Sequence, residues 1–140
     1  MDDDAEQFQH ALLSLDRLSA KRIVSDAARS LSPIELIDTI IARALRTIGE
    51  SWERGDTALA EVYMSGRICE ELVNDLLPPG DPDRKDHPPM AIAVLDDYHS
   101  LGKRIVYCIL RAGGYDLQDY GRVTVDEVIL KVKNDRIRIL

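Results

Sequence analysis

The sequence predicts a bundle of helices followed by the first half of a doubly wound parallel sheet, on three observations. From the N-terminus to about Leu77, apolar residues recur at helical spacing. After Pro89 the pattern changes to strand, helix, strand, helix, strand, the order that builds a parallel sheet. Between the two, "PPGDPDRKDHPP" (Pro78 to Pro89) mixes prolines with alternating charges, as a semi-extended tether does. The expected domains are a helical bundle over 1–78, a linker over 79–89 and a partial sheet domain over 90–140.

The first helix is expected from Ala5 to Leu15, with Phe8, Leu12 and Leu15 in register. The second spans Ala20 to about Leu31, with Ile23, Val24 and Ala27 on one side. The third has the clearest start: Ser32 can cap, Pro33 suits the first helical position, and Glu35 completes a capping box. Its apolar series Ile34, Ile37, Ile41, Ala44, Leu45 and Ile48 points to an end at Gly49. Gly55-Asp56-Thr57 reads as a break and cap. A long helix then runs from Ala58 to Leu77, with Val62, Gly66, Cys69 and Val73 on one stripe. Four such segments joined by short turns predict an antiparallel four-helix bundle.

Beyond the linker, Met90 to Leu95 is an uninterrupted apolar run, as a strand covered on both faces has. Leu101 to Ala112 is expected to be helical, ending at Gly113-Gly114. Tyr115 to Tyr120 is expected as the second strand. Thr124 and Glu127 form another capping box for a helix reaching about Lys133, and Arg136 to Leu140 begins a third strand.

Composition narrows the function. The chain is 45% hydrophobic and 31% charged, ordinary values for a globular protein. No apolar run approaches the roughly 20 residues that cross a bilayer. The N-terminus "MDDDAEQ" is acidic and cannot be the basic start of a signal peptide, so a cytoplasmic location is expected. The net charge of −7 lies wholly in residues 1–80. Such a surface repels phosphate backbones and argues against nucleic-acid binding. Cys69 and Cys108 both sit in apolar stretches and read as buried reduced thiols. His10 reads as a residue on the polar side of its helix, and His87 as an exposed linker residue.

"LDDYHSLGKRIV", Leu95 to Val106, is the stretch that points to chemistry. In doubly wound sheets, ligands bind beyond the carboxyl ends of the strands, where Asp97, Tyr98 and His99 fall. An imidazole at that position can be a general base, a metal ligand or a hydrogen-bonded loop residue. Asp97, two residues before it, can accept one ring N–H and leave the other nitrogen's lone pair available, an arrangement common around metal-bound histidines. Gly102 would let a bulky group approach the backbone closely.

Asp97-x-His99-x-x-Gly102 followed by "KRIV" resembles the cobalamin-binding signature of corrinoid proteins. "GGYDLQDYGRVTVDEVILKVK" looks like that family's second strand, turn and helix. "IGESWERGDTALAEVYMSGRICEELV" is similar to the last two helices of the helical cap that precedes the Rossmann-like cobalamin domain in methionine synthase and methyl carriers. The resemblance implies cobalamin as cofactor, held base-off. His99 would be the lower cobalt ligand, the only protein metal ligand, and Asp97 its orienting partner. Tyr98, Ser100, Leu101 and Gly102 would complete the lower site. Val62, Tyr63 and Met64 would touch the cofactor from the cap, and Trp52 and Glu53 would seat the turn between the last two cap helices. Ser100-Leu101 stands where the family often has Asp-Ile.

The resemblance also implies a corrinoid component of a methyltransferase system rather than a complete enzyme. Its partners would be a methyl-donor methyltransferase and a folate-type methyl-acceptor methyltransferase. The family's fold continues with a Ser-x-Leu element and a Gly-Gly element that this sequence lacks before Leu140. A C-terminally truncated sheet, with Val94, Ile105, Ile109, Ile129, Val132 and Ile139 short of partners, is therefore expected to self-associate. Two alternatives stand beside the methyl carrier. A cobalamin-dependent regulator or photosensor would carry Trp followed at a fixed interval by Glu-His, whereas Trp52 here is followed by Glu61-Val62. The other is a truncated cobalamin-domain remnant that no longer binds the cofactor. Adenosylcobalamin mutases share the loop, but the helical cap argues against them.

Overall fold

The computed structural model describes residues 2–76, 86–97 and 100–140. The chain forms two compact units, Met1–Pro78 and Pro79–Leu140. Most of the expected linker lies outside the described residues.

The first unit is helical. α1 (Asp2–Leu13) and α2 (Arg17–Ala27) are joined by a tight turn in which Leu15 has φ +57°. Asp16 caps α2 by accepting the Ser19 N–H at 3.0 Å. The Ser19 N–H, then the Ser19 hydroxyl, hold the Asp16 carboxyl below its ordinary value. α3 (Pro33–Leu36) opens with the expected capping box: Ser32 Oγ accepts the Glu35 N–H while the Glu35 carboxylate accepts the Ser32 N–H.

The helix does not end at Gly49. It passes through a π-helical segment (Ile37–Ala42) into α4 (Arg43–Glu53). The wider π turn brings Ile40, Ile41 and Ala42 into the core together, which the 3.6-residue period alone would not do. The buried Ile48 lies one residue before Gly49, and helical packing on that side outweighs one glycine's preference for leaving. The chain turns instead at Arg54 and Gly55, whose N–H groups donate to the Glu50 and Trp52 carbonyls. α5 (Leu59–Leu76) starts where expected, but its cap is Glu61, which accepts the Ala58 N–H at 2.7 Å, while Thr57 bonds Ser51. Phe8, Leu12, Val24, Ile41, Leu45, Ile68 and Val73 make the core of this unit. Arg17–Glu71 and Lys21–Asp75 ion pairs tie α2 to α5 at the surface.

The second unit contains a two-stranded parallel sheet, β1 (Ala91–Leu95) and β2 (Gln118–Val123), connected by α6 (Ser100–Ala112). α7 (Val125–Asn134) follows β2 and carries the expected Thr124–Glu127 capping box. β2 begins three residues later than the sequence pattern suggests. Leu117 is buried ahead of it, and the strand reads through Gly121, where a bulge makes Tyr120 the extra residue. Gly121 has φ +66°, a conformation that suits glycine at such a bulge. The third strand expected over Arg136–Leu140 is reduced to one parallel bridge, Met90 to Ile139: Arg136 turns the chain with φ +54°, and only then do the Arg138 and Ile139 N–H groups reach the Pro89 carbonyl. That bridge lies on the edge of β1 opposite β2: Ala91 N–H donates to Ile139, while Gln118 N–H donates to Met90.

The strand is not covered on both faces. Ala91 is buried, Ile92 to Val94 are half-buried and Leu95 is 48% exposed. His87 is not an exposed linker residue either. Its ring packs edge-on against Tyr115, 5.4 Å between centroids, because the stiff Pro88-Pro89 lead-in to β1 lays it on the unit. Cys69 and Cys108 are buried thiols, one in each unit. Among the described residues no helix is long and apolar enough to cross a membrane.

The α7 box generates a prediction. Thr124→Ala should destabilise the protein by about 1 kcal/mol, read as a lower thermal midpoint at neutral pH. The Thr124 backbone N–H, then its hydroxyl, hold the Glu127 carboxyl below its ordinary value. A depressed carboxyl contributes stability above its unfolded-state value and loses it as pH falls through the folded one. The gap between wild type and Glu127→Gln should therefore close in acid. A gap that stays constant would contradict the box's role.

Candidate cofactor-binding site

The parallel ladder delivers the chain to its carboxyl end. Beyond the bulge, Ala93 pairs with Gly121, Val94 with Arg122 and Leu95 with Val123. One further bond, Asp96 N–H to the Val123 carbonyl at 3.1 Å, carries the pairing past the strand. Asp96 then takes φ +49°, a left-handed conformation that aspartate tolerates better than most side chains. The chain therefore leaves the strand abruptly, and Asp97 stands exposed at the carboxyl end of β1. The sequence marked Asp97 but gave no sign of the turn at Asp96, since neighbouring aspartates look alike in a loop.

α6 begins at Ser100, immediately after the loop. Ser100 and Leu101 are half-buried and Gly102 is exposed. A Cβ at Gly102 would meet nothing within 4 Å, so the fold itself does not require glycine there. Glycine inside a helix costs about 1 kcal/mol relative to alanine. An open backbone surface at that cost fits a large group lying against the first turn of α6. Tyr98 and His99 lie outside the described residues. Among the described residues no group of three or more His, Cys, Asp or Glu is placed to hold a metal ion.

Lys103 follows Gly102 and turns inward. Its side chain is only 7% exposed and its ammonium meets Asp119 Oδ2 of β2 at 2.5 Å. Nothing in the sequence pattern pairs these two residues, because they are brought together by the crossover. Near the same bulge, the Tyr120 hydroxyl donates to Asp135 Oδ2 at 2.6 Å. Burial, then that bond and the charge of Asp135, push the Tyr120 phenol up to about 12.

The expected cap residues divide. Val62 is 8% exposed and belongs to the core of the helical unit. Tyr63 is 53% exposed and Met64 half-buried, so these two lie on the accessible side of α5. Trp52 is half-buried, and its carbonyl accepts the Gly55 N–H at the turn before α5.

Comparison with known proteins places the chain. Residues 4–77 match the B12 binding domain family. The dimethylamine corrinoid protein of Methanosarcina barkeri is 29% identical over 132 residues, covering 91% of this chain and 62% of that protein. Among solved structures, the monomethylamine corrinoid protein of Methanosarcina barkeri superposes with a TM-score of 0.62 at 19% identity, over 99% of this chain and 67% of that one. The methanol:cobalamin methyltransferase complex MtaBC from Methanosarcina barkeri gives a TM-score of 0.54 at 22% identity, over 96% of this chain and 54% of that one. The chain spans 62% of the length of that dimethylamine relative. Over the residues covered, these solved structures share this chain's fold.

Proposed function

The chain belongs to the B12 binding domain family, and on that premise we propose that it is a corrinoid methyl carrier, a component that serves methyltransferase partners. Its cofactor is cobalamin. One observation carries the reading: Asp97 stands at the carboxyl end of the first parallel strand, one short loop before a helix whose Gly102 faces open space.

In this reading His99 would be the residue that holds the cobalt, as the lower ligand of base-off cobalamin. Asp97 would accept a hydrogen bond from the other ring N–H, fixing the tautomer and strengthening the imidazole as a ligand. Tyr98, Ser100 and Leu101 shape the loop, and Gly102 lets the macrocycle approach the backbone. Bound cobalamin supplies a cobalt centre that accepts a methyl group and yields it again. The chain's own task is to hold that centre, orient the lower ligand and exclude water.

The helical unit serves as a four-helix cap in this reading. Tyr63 and Met64 are its contacts, and Val62 supports them from the core. Residues 79–89 are the linker between the domains. One partner methyltransferase loads the methyl group; another passes it to a folate-type acceptor. Relatives named for dimethylamine and methanol support a small methylated compound as the donor. In the sheet unit Leu95, Ile109, Ile129 and Ile139 are exposed, which supports self-association of this unit.

Two experiments test this. Protein mixed with hydroxocobalamin and desalted should keep pigment whose visible bands differ from those of the free cofactor, and His99→Ala should lose that difference. Colourless wild-type protein would overturn the function. Light scattering should give a mass above that of one 15.7 kDa chain, and a strict monomer at all concentrations would refute self-association.

A further inference from the structure

Lys103 and Asp119 form a link that the site described above has not used. A lysine ammonium is rarely withdrawn from water unless paired, and the Lys103 side chain is 7% exposed against 27% for its partner. The two oxygens of Asp119 do different things. Oδ2 takes the Lys103 ammonium, and Oδ1 accepts the Gly121 N–H at 2.8 Å. One carboxylate thus grips α6 at the residue after Gly102 and also spans the bulge on its own strand.

That bulge sets the ladder that follows. Asp119 pairs with Ile92 but Gly121 with Ala93, so Tyr120 is passed over. Every later bond, up to Asp96 N–H on the Val123 carbonyl, depends on that one-residue offset. The first turn of α6 and the exit of β1 are the two sides of the loop that holds Asp97.

We infer that Lys103 and Asp119 are positioning residues for cobalamin: their ion pair locks the first turn of α6 to the β2 bulge and so sets Ser100, Leu101 and Gly102 against the exit of β1 at Asp96 and Asp97. The inference rests on the proposal that this loop carries the cofactor. An apolar pair of equal size could fill the same space. It could not accept the Gly121 N–H and hold a helix by charge together.

Full-length wild type, Asp119→Asn, Lys103→Met and the double variant Lys103→Met/Asp119→Asn are compared. Asp119→Asn takes the carboxylate away from the buried Lys103 ammonium and should lower the thermal midpoint; Lys103→Met leaves the more exposed Asp119 on the Gly121 N–H and should lower it less, while the double variant removes both charges and should recover most of the loss. If the pair positions the loop, binding will not recover with stability. The double variant should bind hydroxocobalamin at least about tenfold more weakly than wild type, and its Asp96 amide should exchange with solvent at least about tenfold faster. Wild-type affinity in the double variant would overturn the inference, as would unchanged Asp96 exchange. Wild-type protein that takes up no cobalamin would sink the methyl-carrier proposal, and with it the link to the cofactor. Asp96 exchange would then still decide whether the pair holds the loop.

Discussion

The parallel pairing of β1 with β2, carried one bond past the strand to Asp96, is the constraint on which the sheet unit depends. Parallel strands cannot be joined by a tight turn, so the chain must cross over through a helix, and that helix is α6. The crossover must begin at the carboxyl end of β1. Asp97 and Gly102 therefore both fall at the start of the crossover, beyond the carboxyl end of β1. Left-handed Asp96 makes the exit abrupt, and the Lys103–Asp119 pair ties the returning helix to the neighbouring strand.

Much of this could be read from residue types alone. Both capping boxes, Ser32 with Glu35 and Thr124 with Glu127, were legible because a cap is a local device written within four residues. The position of Asp97 was legible because an apolar run followed by acids marks a strand exit. What escaped depends on the third dimension. β2 runs on past Tyr120 because a bulge takes Gly121 into the strand, and hydrophobic alternation has no symbol for that. The π segment at Ile37–Ala42 was hidden because three consecutive buried residues contradict the ordinary helical period. Gly49 misled because glycine's helix-ending preference is weak beside a buried isoleucine next to it. Lys103 gave no sign of its burial, since lysine in a helix reads as a solvated face until its partner strand is placed.

The two units divide the labour that the proposal assigns. The helical unit is acidic and well packed, and it carries the match to the B12 binding domain family. The loop that would ligate cobalt lies outside that match, in a unit with a small core and several exposed apolar side chains. Binding energy from a large, rigid macrocycle would stabilise such a unit by mass action, because it binds the folded state and not the unfolded one. On that proposal, cofactor retention and the stability of the sheet unit would be coupled.

An electron paramagnetic resonance spectrum tests the central claim most directly. Protein whose histidines carry the heavy nitrogen isotope is loaded with ordinary cobalamin, and cobalt is reduced to its paramagnetic divalent state. If a histidine of this chain is the lower ligand, the nitrogen splitting of the cobalt lines will change to the heavy-isotope pattern, and His99→Ala will abolish it. A splitting that keeps the ordinary-isotope pattern would mean the cofactor's own benzimidazole still holds cobalt, and would contradict the account.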